Sequence, residues 1–377
     1  MKIGNHILVI ASNGPSLINF RLSLIKKLLS KGHKVSVASP NKNFSNDLQK
    51  ELKELGVNIN FFSLSNQGLN FFQDCKSLLD IYKIIKNVKP NIIISYTVKP
   101  VIYTGLVLKC FKKVSYFPLI TGLGYAFIDR QSIKHKLLKY LMVKLYKEGL
   151  KSSSKIIFQN KDDQSLFFEL KIIRQKNFSH IVNGSGVDLN QYPLSDLPSK
   201  PFFLMIARLL VDKGVREYVQ AAKIVRSRFS NATFQLAGYL DNNPSSISNN
   251  ELQSWIDEGH IEYLGEVKSV QSILKSCKYY VLPSYREGTP RSVLEALSTG
   301  RPIITTDVPG CRETVIHEKN GLLVPAKNPI ALANAMIKLL NEKDKTIKKM
   351  AQESYLMAKN KYEINKINQN MLNIMNL

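Results

Sequence analysis

One pattern constrains this chain more than any other: short apolar runs alternate with longer segments whose apolar residues recur every third or fourth position. Residues 6–12, 34–39, 57–63, 91–96, 114–120 and 155–159 read as strands, apolar on both faces as parallel strands covered by helices are. Helices are expected at 17–31, 45–55, 71–87, from the strand at 91–96 to residue 109, and at 133–150. A break at 180–197 holds Asn183-Gly-Ser-Gly186 and Pro193, with Pro198 just beyond, which is turn and linker chemistry. The alternation then restarts. Strands are expected at 202–206, 233–237, 261–264, 279–282, 302–306 and 321–324, and helices at 214–228, 267–276, 291–298 and 330–340. An amphipathic helical segment spans 350–377. Repeated strand–helix units give a doubly wound α/β sheet, and 377 residues exceed what one core comfortably fills, so two Rossmann-like halves in tandem are expected. Ligands of such sheets sit outside the carboxyl ends of the strands.

Charge narrows the partners. The formal net charge is +24, and it is uneven: residues 1–190 hold 29 Lys and Arg against 11 Asp and Glu, a net of +18 that leaves +6 for the remainder. A basic half implies a phosphorylated ligand, anionic lipid or nucleic acid, or else a merely solvated surface. Aromatic residues are not interleaved with the basic clusters as base-stacking platforms would be, which argues against nucleic acid. The scattered cysteines Cys75, Cys110, Cys277 and Cys311 show no metal-ligand spacing and read as buried, reduced thiols. No apolar run is long enough to cross a bilayer, and no signal cleavage site follows the first apolar stretch, so a soluble or peripheral protein is expected.

Three segments carry candidate chemistry. Glu287-Gly-Thr-Pro-Arg-Ser-Val-Leu-Glu295 follows a strand and opens a helix, whose free N–H groups and dipole suit an anion. Glu287 is placed to accept hydrogen bonds from sugar hydroxyls, and Glu295, eight residues on, to reach a ribose diol. Gly288 allows close backbone approach. Arg208 and Lys213, in Ile206-Ala-Arg208-Leu-Leu-Val-Asp-Lys213-Gly214, converge at the end of the second half's first strand and could grip a diphosphate. Asn13-Gly14-Pro15-Ser16 occupies the first strand–helix turn, where Gly14 could bring amides against phosphate. Each segment alone also reads as an ordinary turn with solvated charges.

Together, in this order, these segments resemble family 4 of the retaining glycosyltransferases. The E-x7-E pair Glu287 and Glu295, the Arg208…Lys213-Gly214 segment, the hinge at 183–188 and Asn320-Gly-Leu-Leu-Val-Pro325 carry the likeness. Thr121-Gly-Leu-Gly-Tyr125, residues 241–245 and residues 309–313 point to bacterial transferases that extend undecaprenyl-diphosphate-linked glycans, N-acetylgalactosaminyltransferases among them. The resemblance implies a GT-B fold: two Rossmann-like domains, 1–183 and 184–359, facing across a cleft, with a helix at about 360–377 packing back on the first. It implies a UDP-sugar donor as substrate rather than cofactor, and a lipid-linked acceptor in O-antigen, capsule or protein-glycan assembly. Arg208 and Lys213 would hold the diphosphate, and Glu287 the donor sugar with the backbone of Gly288 and Thr289 beside its phosphate. Glu295 would hold the ribose, and Gly14 would close on the phosphates. Thr121 and Tyr125 are acceptor-side candidates, in a loop without the His that some members carry. The acceptor hydroxyl would attack on the face the diphosphate leaves, retaining configuration. No D-x-D triplet is present, so metal independence is expected.

Between Lys134 and Lys155, read as a helix, leucines alternate with lysines, the pattern of an interfacial membrane binder or of a packed helix with a basic outer face. A peripheral position on the inner face of a bacterial cytoplasmic membrane is therefore expected. The alternatives are a nucleotide-sugar 2-epimerase of the same fold, and a basic membrane- or nucleic-acid-binding protein.

Overall fold

The computed structural model describes residues 4–42, 44–65, 70–127, 132–174, 178–240, 245–267 and 269–377, without the Tyr125 side chain. The chain divides into two compact units: residues 1–185 with 367–377, and residues 186–366.

Unit 1 runs β1 (His6–Ile10), α1 (Pro15–Ser30), β2 (Lys34–Ser39), α2 (Asn46–Glu54), β3 (Asn58–Phe61), α3 (Phe71–Val88), β4 (Ile92–Tyr96), α4 (Val98–Val107), β5 (Ser115–Ile120), α5 (Ile133–Gly149), β6 (Ile156–Phe158), α6 (Lys161–Glu169) and β7 (Ser179–Ile181). Its seven-stranded sheet has the order β3-β2-β1-β4-β5-β6-β7, parallel throughout. The central strands are sunk on both faces, which is why they are continuous apolar runs. Helices α3 to α6 cover one face, through Ile81, Ile102, Tyr146 and Phe167. The other face meets α1 through Leu17, Leu24 and Leu28, and α2 through Leu52.

Unit 2 runs β8 (Phe202–Ile206), α7 (Val215–Arg226), β9 (Thr233–Ala237), α8 (Asn249–Asp257), β10 (Glu262–Gly265), α9 (Val270–Ser276), β11 (Tyr279–Leu282), α10 (Arg291–Ser298), β12 (Ile303–Thr306), β13 (Gly321–Val324), α11 (Pro329–Asn341) and α12 (Asp344–Met357). Its six strands are ordered β10-β9-β8-β11-β12-β13, again parallel. Stacked Phe203, Phe234 and Tyr279 centre its core. A π turn at Ala358–Tyr362 leads to α13 (Ile364–Met375), whose Ile367, Met371, Leu372 and Met375 complete the α1 face of unit 1.

Local signals start the helices. Ser45, Asn70, Ser132, Asn160, Ser248, Ser269 and Asn328 each accept a backbone N–H from the first turn of α2, α3, α5, α6, α8, α9 and α11. Four features depart from the sequence expectations. The first half does not end at 155–159: α6 and β7 follow. Helix α8 also went unforeseen. The expected helix at 350–377 is interrupted by the π turn. Of the cysteines, Cys277 and Cys311 are buried, but Cys75 is half-buried and Cys110 exposed, because it lies in the short 3-10 turn after α4.

Arg301 is one of the residues that pin the linker into unit 2. Arg301, fully buried, donates its guanidinium to the carbonyl oxygens of Ser195 (2.6 Å), Cys277 (2.9 Å), Thr299 (2.9 Å) and Asp196 (3.1 Å). A buried guanidinium is tolerated when its N–H groups find acceptors, and these carbonyls supply them.

Candidate active site

In unit 2 the strand order reverses between β8 and β11, which lie side by side with Tyr279 opposite Phe203. Loops leaving the carboxyl ends of such a pair diverge and open a crevice. The β8 loop carries Arg208 and Lys213; the β11 loop carries Glu287, Gly288 and Thr289. Although 74 residues apart in sequence, the Lys213 ammonium and a Glu287 carboxylate oxygen meet at 2.5 Å. The Ser284 hydroxyl donates to that same oxygen at 2.8 Å. Only 17% and 14% of the two charged side chains is exposed, so the pair is shielded from bulk screening without being sealed from a ligand.

Backbone contacts hold the loops together. The Tyr285 N–H donates to the Asp212 carbonyl (2.8 Å), and the Glu287 N–H to that of Pro309 (3.0 Å). Gly214 has φ +75°, and a Cβ there would lie 2.1 Å from the Pro283 carbonyl oxygen. Gly310 is similarly constrained: its φ is +81° and a Cβ would meet the Glu287 carbonyl oxygen at 2.3 Å. Residues 309–313, noted in the sequence only for family likeness, are thus a third wall supporting Glu287. Ser284 was missed; its signal was its place directly after β11 and Pro283, ahead of the carboxylate.

Arg208 is exposed at the end of β8. Gly288 is buried and Thr289 half-buried just before α10. Pro290 is the N-cap residue of that helix, and no side chain caps it. Glu295 faces inward and is 6% exposed. Arg291 Nε donates to it at 2.7 Å, and Tyr192 from the linker hydrogen-bonds to it as well. Burial pushes the Glu295 pKa up, while the Arg291 charge and the two hydrogen bonds pull it back. Tyr192 carried no motif and was not foreseen. Beneath the Glu287 loop, burial pushes the Cys311 thiol up to about 12, which leaves it protonated and inert.

The candidates in unit 1 lie along the carboxyl edge of its own sheet. Its reversal falls between β1 and β4. Asn13 accepts the Ser16 N–H at 2.9 Å, and the Ser16 hydroxyl meets the Tyr96 hydroxyl at 2.8 Å. Gly14 has ordinary helical angles, φ −63° and ψ −49°. What demands glycine there is the Phe44 ring, 2.1 Å from where a Cβ would stand. Thr97, directly after β4, holds φ +69°, a strained value for a β-branched residue, and its buried hydroxyl has no hydrogen-bond partner among the described residues. Nothing in the sequence marked it. Thr121 is half-buried at the end of β5. The Tyr125 side chain and residues 241–244 lie outside the described residues. No three His, Cys, Asp or Glu side chains converge as a metal centre among the described residues. No described helix is long and apolar enough to cross a membrane.

Comparison with known proteins bears on both units. Residues 200–342 match the family model described as glycosyl transferases group 1, and residues 6–160 that described as glycosyl transferase 4-like. The chain is 30% identical over 357 residues to the N,N'-diacetylbacillosaminyl-diphospho-undecaprenol alpha-1,3-N-acetylgalactosaminyltransferase of Campylobacter jejuni, covering 91% of this chain and 90% of that one. It is 25% identical to an Escherichia coli UDP-Gal:alpha-D-GlcNAc-diphosphoundecaprenol alpha-1,3-galactosyltransferase, over 74% of this chain and 73% of the other. Among solved structures, Anabaena HepE in complex with UDP-glucose superposes with a TM-score of 0.75 at 16% identity, covering 99% of each chain.

Proposed function

Since the chain belongs to the family 4 glycosyltransferases and has their two parallel-sheet, Rossmann-like units, we propose that it transfers a hexose or N-acetylhexosamine from a UDP-sugar to a lipid-diphosphate-linked glycan, with retention of configuration. The observation that carries this reading is the Lys213–Glu287 pair at the strand reversal of unit 2. A cation and a carboxylate held side by side suit a ligand that is anionic at one end and hydroxyl-rich at the next, which describes a nucleotide sugar. The UDP assignment rests on the galactosyltransferase relative, whose name specifies UDP-Gal.

In this reading Lys213 and Arg208 hold the diphosphate and stabilise the charge that grows on it as the glycosidic bond loosens. Glu287 accepts hydroxyls of the donor sugar, with Gly288 and Thr289 beside the phosphate and Glu295, oriented by Arg291 and Tyr192, at the ribose. Gly14 is assigned to the phosphates, and Thr121 and Tyr125 to the acceptor. The acceptor hydroxyl attacks from the side the diphosphate departs, and the departing phosphate takes its proton. No metal and no cofactor is assigned a part. The named relatives are transferases, which favours transfer over 2-epimerisation. Their undecaprenol-linked acceptors support work at a membrane face, with the basic first half (net +18 over residues 1–190) turned to anionic lipid on the cytoplasmic side.

The test is a panel of UDP-, GDP- and dTDP-sugars screened for thermal stabilisation. A donor at about 100 times its Kd adds about 2.7 kcal/mol to folding stability. One UDP-sugar should stabilise the wild type, and Glu287→Ala or Arg208→Ala should weaken the effect. No shift with any nucleotide sugar, together with a shift on anionic lipid or nucleic acid, defeats the reading.

A further inference from the structure

Helix α5 is apolar on two sides. His135, Met142 and Tyr146 face the sheet, as a packed helix requires. Ile133, Leu137, Tyr140 and Leu141 are exposed, and their spacing of four, three and one residues puts them on the opposite side of the helix, turned to solvent. Ile133 is 85% exposed. The outer face is therefore an apolar stripe, with the exposed Lys134, Lys136 and Lys144 in and beside it and only Glu148 to oppose them on the helix.

A second stripe lies in the same layer. Helix α3 exposes Phe71, Phe72, Leu79 and Tyr82; Phe71 and Phe72 meet edge to face, and Phe72 is 86% exposed. Exposed Lys76, Lys83 and Lys86 accompany them. Helix α4 lies between the two and is almost wholly buried, close enough to α5 that a Cβ on Gly105 would lie 1.6 Å from the Gly149 carbonyl oxygen. Both α3 and α5 run from the carboxyl edge of the sheet, so Phe71, Phe72, Ile133 and Leu137 stand at one end of the layer, beside the edge that carries Thr97 and Thr121. Eight of the eleven exposed large apolar side chains described in unit 1 belong to these two helices. Monomeric soluble proteins rarely gather apolar exposure this way.

We infer that the outer face of α3 and α5 is a docking platform for an anionic lipid bilayer, with the aromatic and aliphatic side chains entering the interface and the lysines meeting lipid phosphates. This rests on the membrane-side reading given above and supplies its contact surface. Charge selects the occupant. A second copy of the same face would bring like charges together, whereas an anionic bilayer answers both the lysines and the apolar stripe.

Flotation of the full chain with vesicles of phosphatidylcholine alone, or with about a third phosphatidylglycerol, tests the inference. Each lysine near an anionic surface is worth about fivefold in partitioning. The triple variant Lys134→Gln/Lys136→Gln/Lys144→Gln should therefore lose about a hundredfold on the anionic vesicles. Phe71→Ser/Phe72→Ser and Ile133→Ser/Leu137→Ser should each lose about tenfold or more. All three variants change exposed side chains and should keep the wild-type melting temperature and its shift with UDP. Because flotation involves no donor or acceptor, its failure is separable from failure of the transferase reading. Equal binding to neutral vesicles, or wild-type flotation of both apolar variants, overturns the platform. So does a concentration-dependent dimer in sedimentation that the apolar variants abolish, which would give the face to a second copy, or preferential binding of an RNA oligomer that displaces the vesicles.

Discussion

Lys213 is not a bare cation waiting for phosphate; it already has a carboxylate at 2.5 Å, and that has a measurable consequence. With charge centres about 3.5 Å apart and an effective dielectric near 20, the gross attraction is about 5 kcal/mol. An arriving diphosphate shares Lys213 with Glu287 and also feels the Glu287 charge, at about 7 Å worth roughly 2 kcal/mol of repulsion before screening. Glu287→Gln removes that repulsion and leaves a hydrogen-bonding group in place. UDP, which has no sugar for Glu287 to hold, should consequently bind Glu287→Gln about five- to thirtyfold more tightly than wild type, a gain of about 1–2 kcal/mol. Lys213→Gln should weaken UDP by about tenfold to a hundredfold. Transfer from the intact donor should fall in both variants, by a factor of about 10² to 10³ for the lysine. Titration calorimetry with UDP, beside initial rates with the donor found in the panel, reads all of this. If Glu287→Gln weakens UDP as Lys213→Gln does, or if neither changes it, the diphosphate does not sit on this pair and the argument fails.

Three other outcomes follow from the geometry. Burial raises the Glu295 pKa above its unfolded value, so its stability contribution is fully present below about pH 4.5 and is lost as pH rises through the raised pKa. The melting temperature of wild type relative to Glu295→Gln should therefore fall as the pH rises above about 4.5, and a gap that widens in favour of wild type contradicts the assignment. Gly214→Ala, which combines φ +75° with a Cβ lodged against the Pro283 carbonyl, should destabilise by about 2–4 kcal/mol and lower UDP affinity, checked by thermal melts and calorimetry. Arg301→Met leaves the carbonyls of Ser195 and Asp196 without their donor, and should cost about 3 kcal/mol with new protease cleavage near 190–200; an unchanged digestion pattern counts against the pinning role.

The sequence was most informative where one segment settles its own conformation. β11, β13 and α10 fall on the residues the pattern indicates, because uninterrupted apolar runs and a Pro-initiated amphipathic turn need no distant partner. It was least informative where burial depends on a neighbour. β7 is only Ser-His-Ile, half-buried at the sheet edge, and α6 opens with Lys-Asp-Asp, so neither presents an apolar run. In α5 the apolar residues outnumber what one face can take, and sequence alone could not say which would turn inward. At the site, Glu287 and Lys213 were legible as residue types in motifs, but their contact was not, since it arises from the β8–β11 pairing. The same holds for Tyr192 beside Glu295, brought there by the linker.

Helix α13 has a consequence for how this protein comes to be. Unit 2 is one continuous stretch, whereas unit 1 takes Ile367–Leu377 to close its α1 face over Leu17, Leu24 and Leu28. On the ribosome, the unit begun first is therefore finished second, after all of unit 2 has emerged. Until then its nascent form carries an uncovered apolar face available to chaperones. A product interrupted before residue 367 would lack the Ile367, Met371, Leu372 and Met375 side chains that pack with Leu17, Leu24 and Leu28.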